Sequence, residues 1–267
     1  MLNVQHINYR ISPSLALTDI SFDVQPGELV AILGANGAGK STLLKIITGS
    51  IKMNSGNVLI NKLPLTYWSP KSLSTFAAVM QQQNQLQLPF SVFEVVMMGR
   101  YPHFKRRETQ TDEDIVNEVL VRTGIQKLKD RNYLTLSGGE QQRVHLARVL
   151  AQISGGKSEN SRYLFMDEPS NNLDIRHQHS ALNIAKEFAG EGNCVVAVLH
   201  DLNLALQYAD KIVLLKNGAM KGFGTCADIM TDASISDVYD LPLSIFHPPM
   251  GRHPMVMPVG NNVLINA

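Results

Sequence analysis

At 267 residues, 44% hydrophobic and 18% charged, the chain can bury a sizeable core and has the balance of an ordinary globular protein. A formal net charge of +1 gives no support to broad electrostatic binding of nucleic acid or anionic lipid. The longest apolar runs, such as CVVAVL at 194–199, fall far short of a membrane span, so no direct membrane insertion is expected. Cys194 and Cys226 lie far apart and outside any CxxC, and MLNVQHINYR has no apolar h-region. A cytosolic location, reduced packed thiols and no signal peptide are therefore expected.

The opening segment, about 35 residues, predicts strands, with ISFDV at 20–24 alternating and Pro26-Gly27 marking a turn. LVAIL at 29–33 is apolar throughout, the texture of a strand buried on both faces of a parallel sheet. STLLKIITG then places Leu43, Leu44 and Ile47 at helical spacing, with Gly49 as the stop. From 84 to 158 no strand pattern appears. VFEVVMMGR at 92–100, a charged connection, a helix capped by Thr111 and ended by Gly124, and GEQQRVHLARVLAQI at 139–153 predict an inserted helical lobe. QISGGKSENSR at 152–162 reads as a surface loop. Strand signals resume in RYLFMD (162–167) and NCVVAVLH (193–200), flanking a helical stretch in βαβ alternation. Asn217-Gly218 between apolar runs predicts a hairpin. The tail 245–267 is rich in Pro, Met and Gly and shows no periodicity; its His247 and His253 read as surface residues.

GANGAGKST at 34–42 follows the buried strand directly. Gly34, Gly39, Lys40 and Ser41 fit G-x-x-x-x-G-K-[ST] in the strand–loop–helix context that pattern requires. Bare glycine backbone lets successive N–H groups curl around an anion, and the helix starting near Gly39 adds its positive dipole end. Ala35, Asn36, Gly37, Ala38 and Thr42 complete the cradle. Lys40 is suited to the β- and γ-phosphates, and the Ser41 hydroxyl to Mg²⁺. The pattern implies a nucleoside triphosphate site, which kinases, GTPases, helicases and transport ATPases share. YLFMDE at 163–168 narrows the class. Asp167 ends a predicted strand, where it would hold Mg²⁺. Glu168 is placed to orient or deprotonate a water, which favours hydrolysis over transfer to another substrate.

LSGGEQQR at 136–143 decides among these. An N-cap at Ser137 would explain part of the string but not all of it between such neighbours. The string resembles the signature of the ATP-binding cassette (ABC) family, and further ordered motifs agree over most of residues 2–225. The resemblance implies an α/β, P-loop (RecA-like) core with a parallel sheet, an N-terminal antiparallel β subdomain and an inserted helical subdomain. The core lobe would take about 1–83 and 160–225, the helical lobe about 84–159, and a C-terminal extension 226–267. ATP and Mg²⁺ are the implied cofactors. Ser137, Gly138, Gly139 and Glu140 would meet ATP held by a second copy in a head-to-tail homodimer. Gln81 resembles the glutamine that senses Mg²⁺, with Gln82 and Gln83 leaving its register open. His200 looks like the switch histidine. Asp174 in SNNLD matches the D-loop, although Asn171 and Asn172 depart from its usual pattern. Tyr9 matches an aromatic that stacks on adenine, with core packing as the competing reading.

One cassette and no membrane span resemble a separate importer ATPase. VFEVVMMGRYPHF at 92–104 is similar to ATPases of iron-chelate, haem and cobalamin uptake. LARVLAQI, the long loop after it and LDIRHQ at 173–178 are similar to the haemin-import ATPases among them. The resemblance implies two transmembrane permease subunits, a periplasmic substrate-binding protein met indirectly, no nucleic acid, and a peripheral place on the cytoplasmic face of the bacterial inner membrane. A siderophore or cobalamin importer, or a cassette protein acting on ribosomes or DNA, are the alternatives.

Overall fold

The computed structural model describes residues 1–12, 15–81, 89–155, 161–169, 174–249 and 253–259. In chain order, the elements begin with β1 (Leu2–Ser12), β2 (Leu15–Val24), β3 (Leu29–Gly34) and α1 (Lys40–Ile47). Then come β4 (Ser55–Ile60), β5 (Leu63–Pro64), α2 (Pro70–Leu73) and β6 (Ala77–Met80). The helices α3 (Val92–Met97), α4 (Gln110–Arg122) and α5 (Gly138–Ile153) follow, and α5 packs against β6. Next are β7 (Tyr163–Asp167), α6 (Ile175–Gly190), β8 (Cys194–Val198), α7 (Leu202–Tyr208), β9 (Lys211–Lys216) and β10 (Ala219–Thr225). The chain closes with α8 (Cys226–Ile229), α9 (Asp232–Tyr239), β11 (Leu243–Phe246) and β12 (Met255–Pro258).

One sheet carries the fold, in the order β5-β4-β1-β2-β10-β9-β3-β8-β7-β6. Its β9-β3-β8-β7-β6 half is parallel, and the β5-β4-β1-β2 half is antiparallel. This is the expected α/β architecture with an antiparallel N-terminal part. Alternation along β3 explains its unbroken apolar run. Leu29, Ala31 and Leu33 enter a core shared with α3 to α7, while Val30 and Ile32 enter a second core with α1 and the antiparallel strands. All six β3 residues are buried, so every side chain must be apolar or glycine.

Thr123 caps α4 at its C-terminal end and Gly124, at φ 67°, follows it as the expected stop. The start of α4 differs from expectation. Thr109, rather than Thr111, is the N-cap, because its side chain pairs reciprocally with Asp112 in a capping box. Helix α5 likewise starts one residue early, at Gly138. Buried Arg100 joins α4 to α5: its Nε donates to Asp112 Oδ1 at 2.9 Å, and its Nη1 to the carbonyls of Ala151 and Ser154 at 2.6 Å each.

The expected hairpin is present, with Asn217 and Gly218 at positive φ (50° and 77°) joining β9 to β10. The tail is more regular than its composition suggests: α9 is followed by the antiparallel pair β11-β12, which registers Leu243 with Pro258 and Phe246 with Met255. Among the described residues, no helix is long and apolar enough to cross a membrane. Both thiols are free, Cys194 buried and Cys226 half-buried.

Candidate nucleotide site

The carboxyl ends of β3, β7 and β8 meet at one edge of the parallel sheet, where α/β folds place their ligands. Gly34, Asp167 and Val198 close these neighbouring strands. Between β3 and α1 the loop turns through Gly37 (φ 77°) and Gly39 (φ 97°). The φ at Gly39 favours bare backbone, and a Cβ there would also press on the Leu17 side chain, 2.6 Å from its Cδ2. Helix α1 begins at Lys40 with Gly39 as N-cap and no side-chain cap, which leaves its first N–H groups open to an anion.

A cavity of about 180 Å³ opens here, lined by Asn36, Gly37, Gly39, Lys40, Ser41, Thr42, Glu168 and His200. Lys40 is only 5% exposed, and its Nζ donates to the carbonyls of Gly34 (2.8 Å) and Ala35 (3.1 Å). Burial lowers its pKa, against the pull of Glu168 and Asp167, which favour the charged form. Ser41 Oγ donates to Asp167 Oδ1 at 2.9 Å, joining residues 126 positions apart. Burial raises the Asp167 pKa, with the Ser41 hydrogen bond opposing and Glu168 reinforcing that shift. Glu168 Oε1 lies 2.5 Å from His200 Nε2. Glu168 also has φ 54°, a left-handed conformation costly for a residue with a Cβ, held where its amide donates to Val198 O.

The structure therefore brings together the loop, Asp167, Glu168 and His200. Ala38 is buried beneath the loop, and its carbonyl accepts from the Gly218 amide at 3.1 Å. Gln81 is exposed one residue beyond β6, whose Met80 pairs with Met166, so it emerges level with Asp167. Gln82 and Gln83 lie outside the described residues, as do Asn171 and Asn172. Tyr9 pairs across the strands with Leu17, the residue against Gly39, and is half-buried on that core. Asp174 caps α6, accepting from the His177 amide at 2.9 Å.

The Ser137–Glu140 group lies at the start of α5 and contributes nothing to the cavity lining given above. Ser137 and Glu140 form a capping box: the Ser137 amide donates to Glu140 Oε2 (2.8 Å) and the Glu140 amide to Ser137 Oγ (3.3 Å). These bonds hold the Glu140 carboxyl below its ordinary pKa. One turn on, Gln142 Nε2 donates to the carbonyl of Pro169, tying α5 to the residue after Glu168. Two contacts had no signal in the sequence. The Gly218 turn braces the loop from below, and the Tyr239 hydroxyl, on α9, accepts from the Gly34 amide at 3.1 Å.

The profile of the ABC transporter family matches residues 17–171. The chain belongs to that family. It is accordingly an ABC-type ATPase, and it binds nucleotide. It is 42% identical over 261 residues to the hemin import ATP-binding protein HmuV of Gloeobacter violaceus, covering 98% of this chain and 95% of the relative. The HmuV protein of Methylobacillus flagellatus is 41% identical over 257 residues, 96% of this chain and 95% of its own. A solved chain described as a metal-chelate type ABC transporter in an inward-facing conformation superposes with TM-score 0.82, covering 97% of this chain and 98% of its own. At 24% identity that last likeness speaks to the fold alone.

Proposed function

We propose that this ABC ATPase drives haemin import, converting ATP binding and hydrolysis into movement of two permease subunits. The observation that carries the cargo is the near-full-length similarity to hemin import ATP-binding proteins, 42% over 98% of the chain. The chemistry rests on the cavity. The amides of Asn36–Thr42 and Lys40 hold the phosphates, and Lys40 exchanges its bonds to Gly34 and Ala35 for phosphate oxygens. Ser41 and Asp167 are oxygen donors on facing elements, a set that suits Mg²⁺ with Gln81 nearby. The ion, when bound, neutralises charge on the β- and γ-phosphates. Glu168 takes a proton from the attacking water, and His200, in contact with it, fixes its carboxylate and faces the γ-phosphate.

One chain supplies only part of the site. Ser137, Gly138, Gly139 and Glu140 of a second copy complete it in a head-to-tail homodimer, with Tyr9 under the adenine and Asp174 near the dimer seam. Residues 1–83 and 160–225 form the nucleotide lobe and 84–159 the helical lobe. The permease seats a helix in the apolar groove lined by Ile51, Met53, Leu65, Trp68 and Val79, next to the strand that leads to Gln81. On this reading the protein sits on the cytoplasmic face of the inner membrane, held by its partners, with the periplasmic binding protein on the far side. Vesicles rebuilt with the cognate permease and binding protein test the reading. ATP-dependent accumulation of haemin is expected, and accumulation of a siderophore or cobalamin instead would overturn the cargo.

A further inference from the structure

Residues beyond 225 lie outside the family match, yet they reach the nucleotide loop. Tyr239 ends α9, and its hydroxyl accepts the Gly34 amide at 3.1 Å across 205 positions of sequence. The carbonyl of the next peptide unit is also held, since Gly34 O accepts from Lys40 Nζ at 2.8 Å. Gly34 therefore stands between two anchors, one on its amide and one on its carbonyl. It has no latitude toward β9 either: a Cβ there would sit 2.3 Å from the Leu215 carbonyl.

The helix carrying Tyr239 is itself clamped to the same strand. Lys216, next to Leu215, donates through Nζ to Asp237 O (2.5 Å), Asp237 Oδ1 (3.2 Å) and Asp240 Oδ1 (2.8 Å). Those three acceptors span the end of α9, where Asp240 adopts φ 51° as C-cap. Burial pushes the Tyr239 phenol up to about 12, so at neutral pH it stays a neutral hydroxyl suited to an amide. A sequence of direct contacts thus runs from β9 through Lys216, α9 and Tyr239 into the first residue of the phosphate loop.

We propose that Tyr239 is a positioning residue for nucleotide binding, through which the C-terminal extension sets the loop's affinity for a magnesium–nucleoside triphosphate. The effect falls on binding because of Lys40. In the free chain both anchors hold Gly34; when a triphosphate draws the ammonium away from the Gly34 carbonyl, the Tyr239 hydroxyl is the anchor that stays. Its contribution is larger in the bound state, and a loop that loses it has fewer competent conformers to offer. The inference rests on Gly34–Thr42 being the phosphate cradle.

The test compares Tyr239→Phe, which deletes one oxygen and keeps the ring, with the wild-type full-length protein. Calorimetric titration with Mg²⁺ and a non-hydrolysable ATP analogue is expected to give binding about threefold weaker, a fraction of one neutral hydrogen bond because the Tyr239 bond is also made in the free chain. The basal KM for ATP should rise by a similar factor with kcat within twofold, and the Gly34 amide resonance should move. Lys216→Met should shift affinity the same way by a smaller factor, and less than additively with Tyr239→Phe. Binding within twofold of wild type, or an unmoved Gly34 resonance, would overturn the proposal even if the melting temperature falls. Lys40→Ala separates the two layers: normal binding in that variant sinks the cradle assignment, whereas loss there with unchanged Tyr239→Phe sinks only the role of Tyr239.

Discussion

Replacing Arg100 by Met tests how the helical block is held together. Arg100 is 4% exposed and Asp112 5%, so the pair is closed off from water. Removing the guanidinium takes the cation from the Asp112 carboxylate, leaving it the Thr109 donors on Oδ2, and strips a charged donor from the carbonyls of Ala151 and Ser154. Breaking a buried pair from one side costs about 3–5 kcal/mol. The lost bonds share one guanidinium, so their separate values do not add, and Met restores most of the stem's packing. About 4 kcal/mol is therefore expected from urea unfolding, or about 10 °C in melting temperature for a chain of this size. Replacing both partners, Arg100→Met with Asp112→Asn, should recover most of the loss, because no charge is then left buried while the side-chain oxygen still accepts from the Thr109 amide in the capping box. The pH dependence follows from Asp112. Burial pushes its pKa up, but hydrogen bonds from Thr109 and Arg100 outweigh that and hold it below the ordinary range. The folded value is depressed, so the pair's stabilisation is present above the unfolded pKa, about 3.9, and is lost as pH falls through the folded one. In Arg100→Met that acid-side loss should shrink. A cost below about 1 kcal/mol, or a double variant no better than the single one, would refute the reasoning.

Glu168→Gln should lower phosphate release by about 10²- to 10⁴-fold, the usual worth of a positioned base, while calorimetry still finds nucleotide bound. Turnover within tenfold of wild type would remove Glu168 from that role. Gly218→Ala places a Cβ 1.6 Å from the Ala16 carbonyl at φ 77°, so a loss of at least about 2 kcal/mol is expected by chemical unfolding, with nucleotide binding weakened through the Ala38 bond. Glu140→Gln keeps the capping geometry but removes a negative charge beside an incoming phosphate. Light scattering with the Glu168→Gln background should find dimers at about three- to tenfold less ATP, and an unchanged threshold would contradict the in-trans placement.

The site was legible where one short stretch contains the whole physical reason. Bare backbone in GANGAGKST answers to the turn out of β3, where Gly37 and Gly39 take positive φ, and Asn217-Gly218 answers to the twist of its hairpin. At the start of α4 two local solutions tie. Thr109 and Thr111 each precede an aspartate by three residues, Asp112 and Asp114, so either could form the box. Arg100 is what favours Asp112, and it comes from another element. The tail failed for a different reason. In β11-β12, Leu243 and Val256 face the core, but Phe246, Met255 and Met257 on the other face are apolar and exposed, so no polar alternation marks the strands. Tyr239 left no trace at all, since its meaning depends on a contact with Gly34 that only the folded chain creates.

The two helix starts use the same device in opposite states, and the difference orders their use. At α1 the N-cap is Gly39, no side chain caps the amides, and the first turn carries no acid. Those N–H groups have no claimant within their own helix, so an anion meets little competition there. At α5 the Ser137 side chain and the Glu140 carboxylate already satisfy each other's amides. A phosphate arriving there must displace a carboxylate or approach beside its charge, and the lone chain keeps that helix start stable in the meantime. In the proposed head-to-tail pair, ATP should therefore settle on its own loop before a second copy's helix start engages it. Engagement then cannot stay local, because Gln142 on the same helix holds the Pro169 carbonyl, adjacent to the strained Glu168. A shift of α5 as Glu140 lets go would be felt one residue from Glu168, the proposed base.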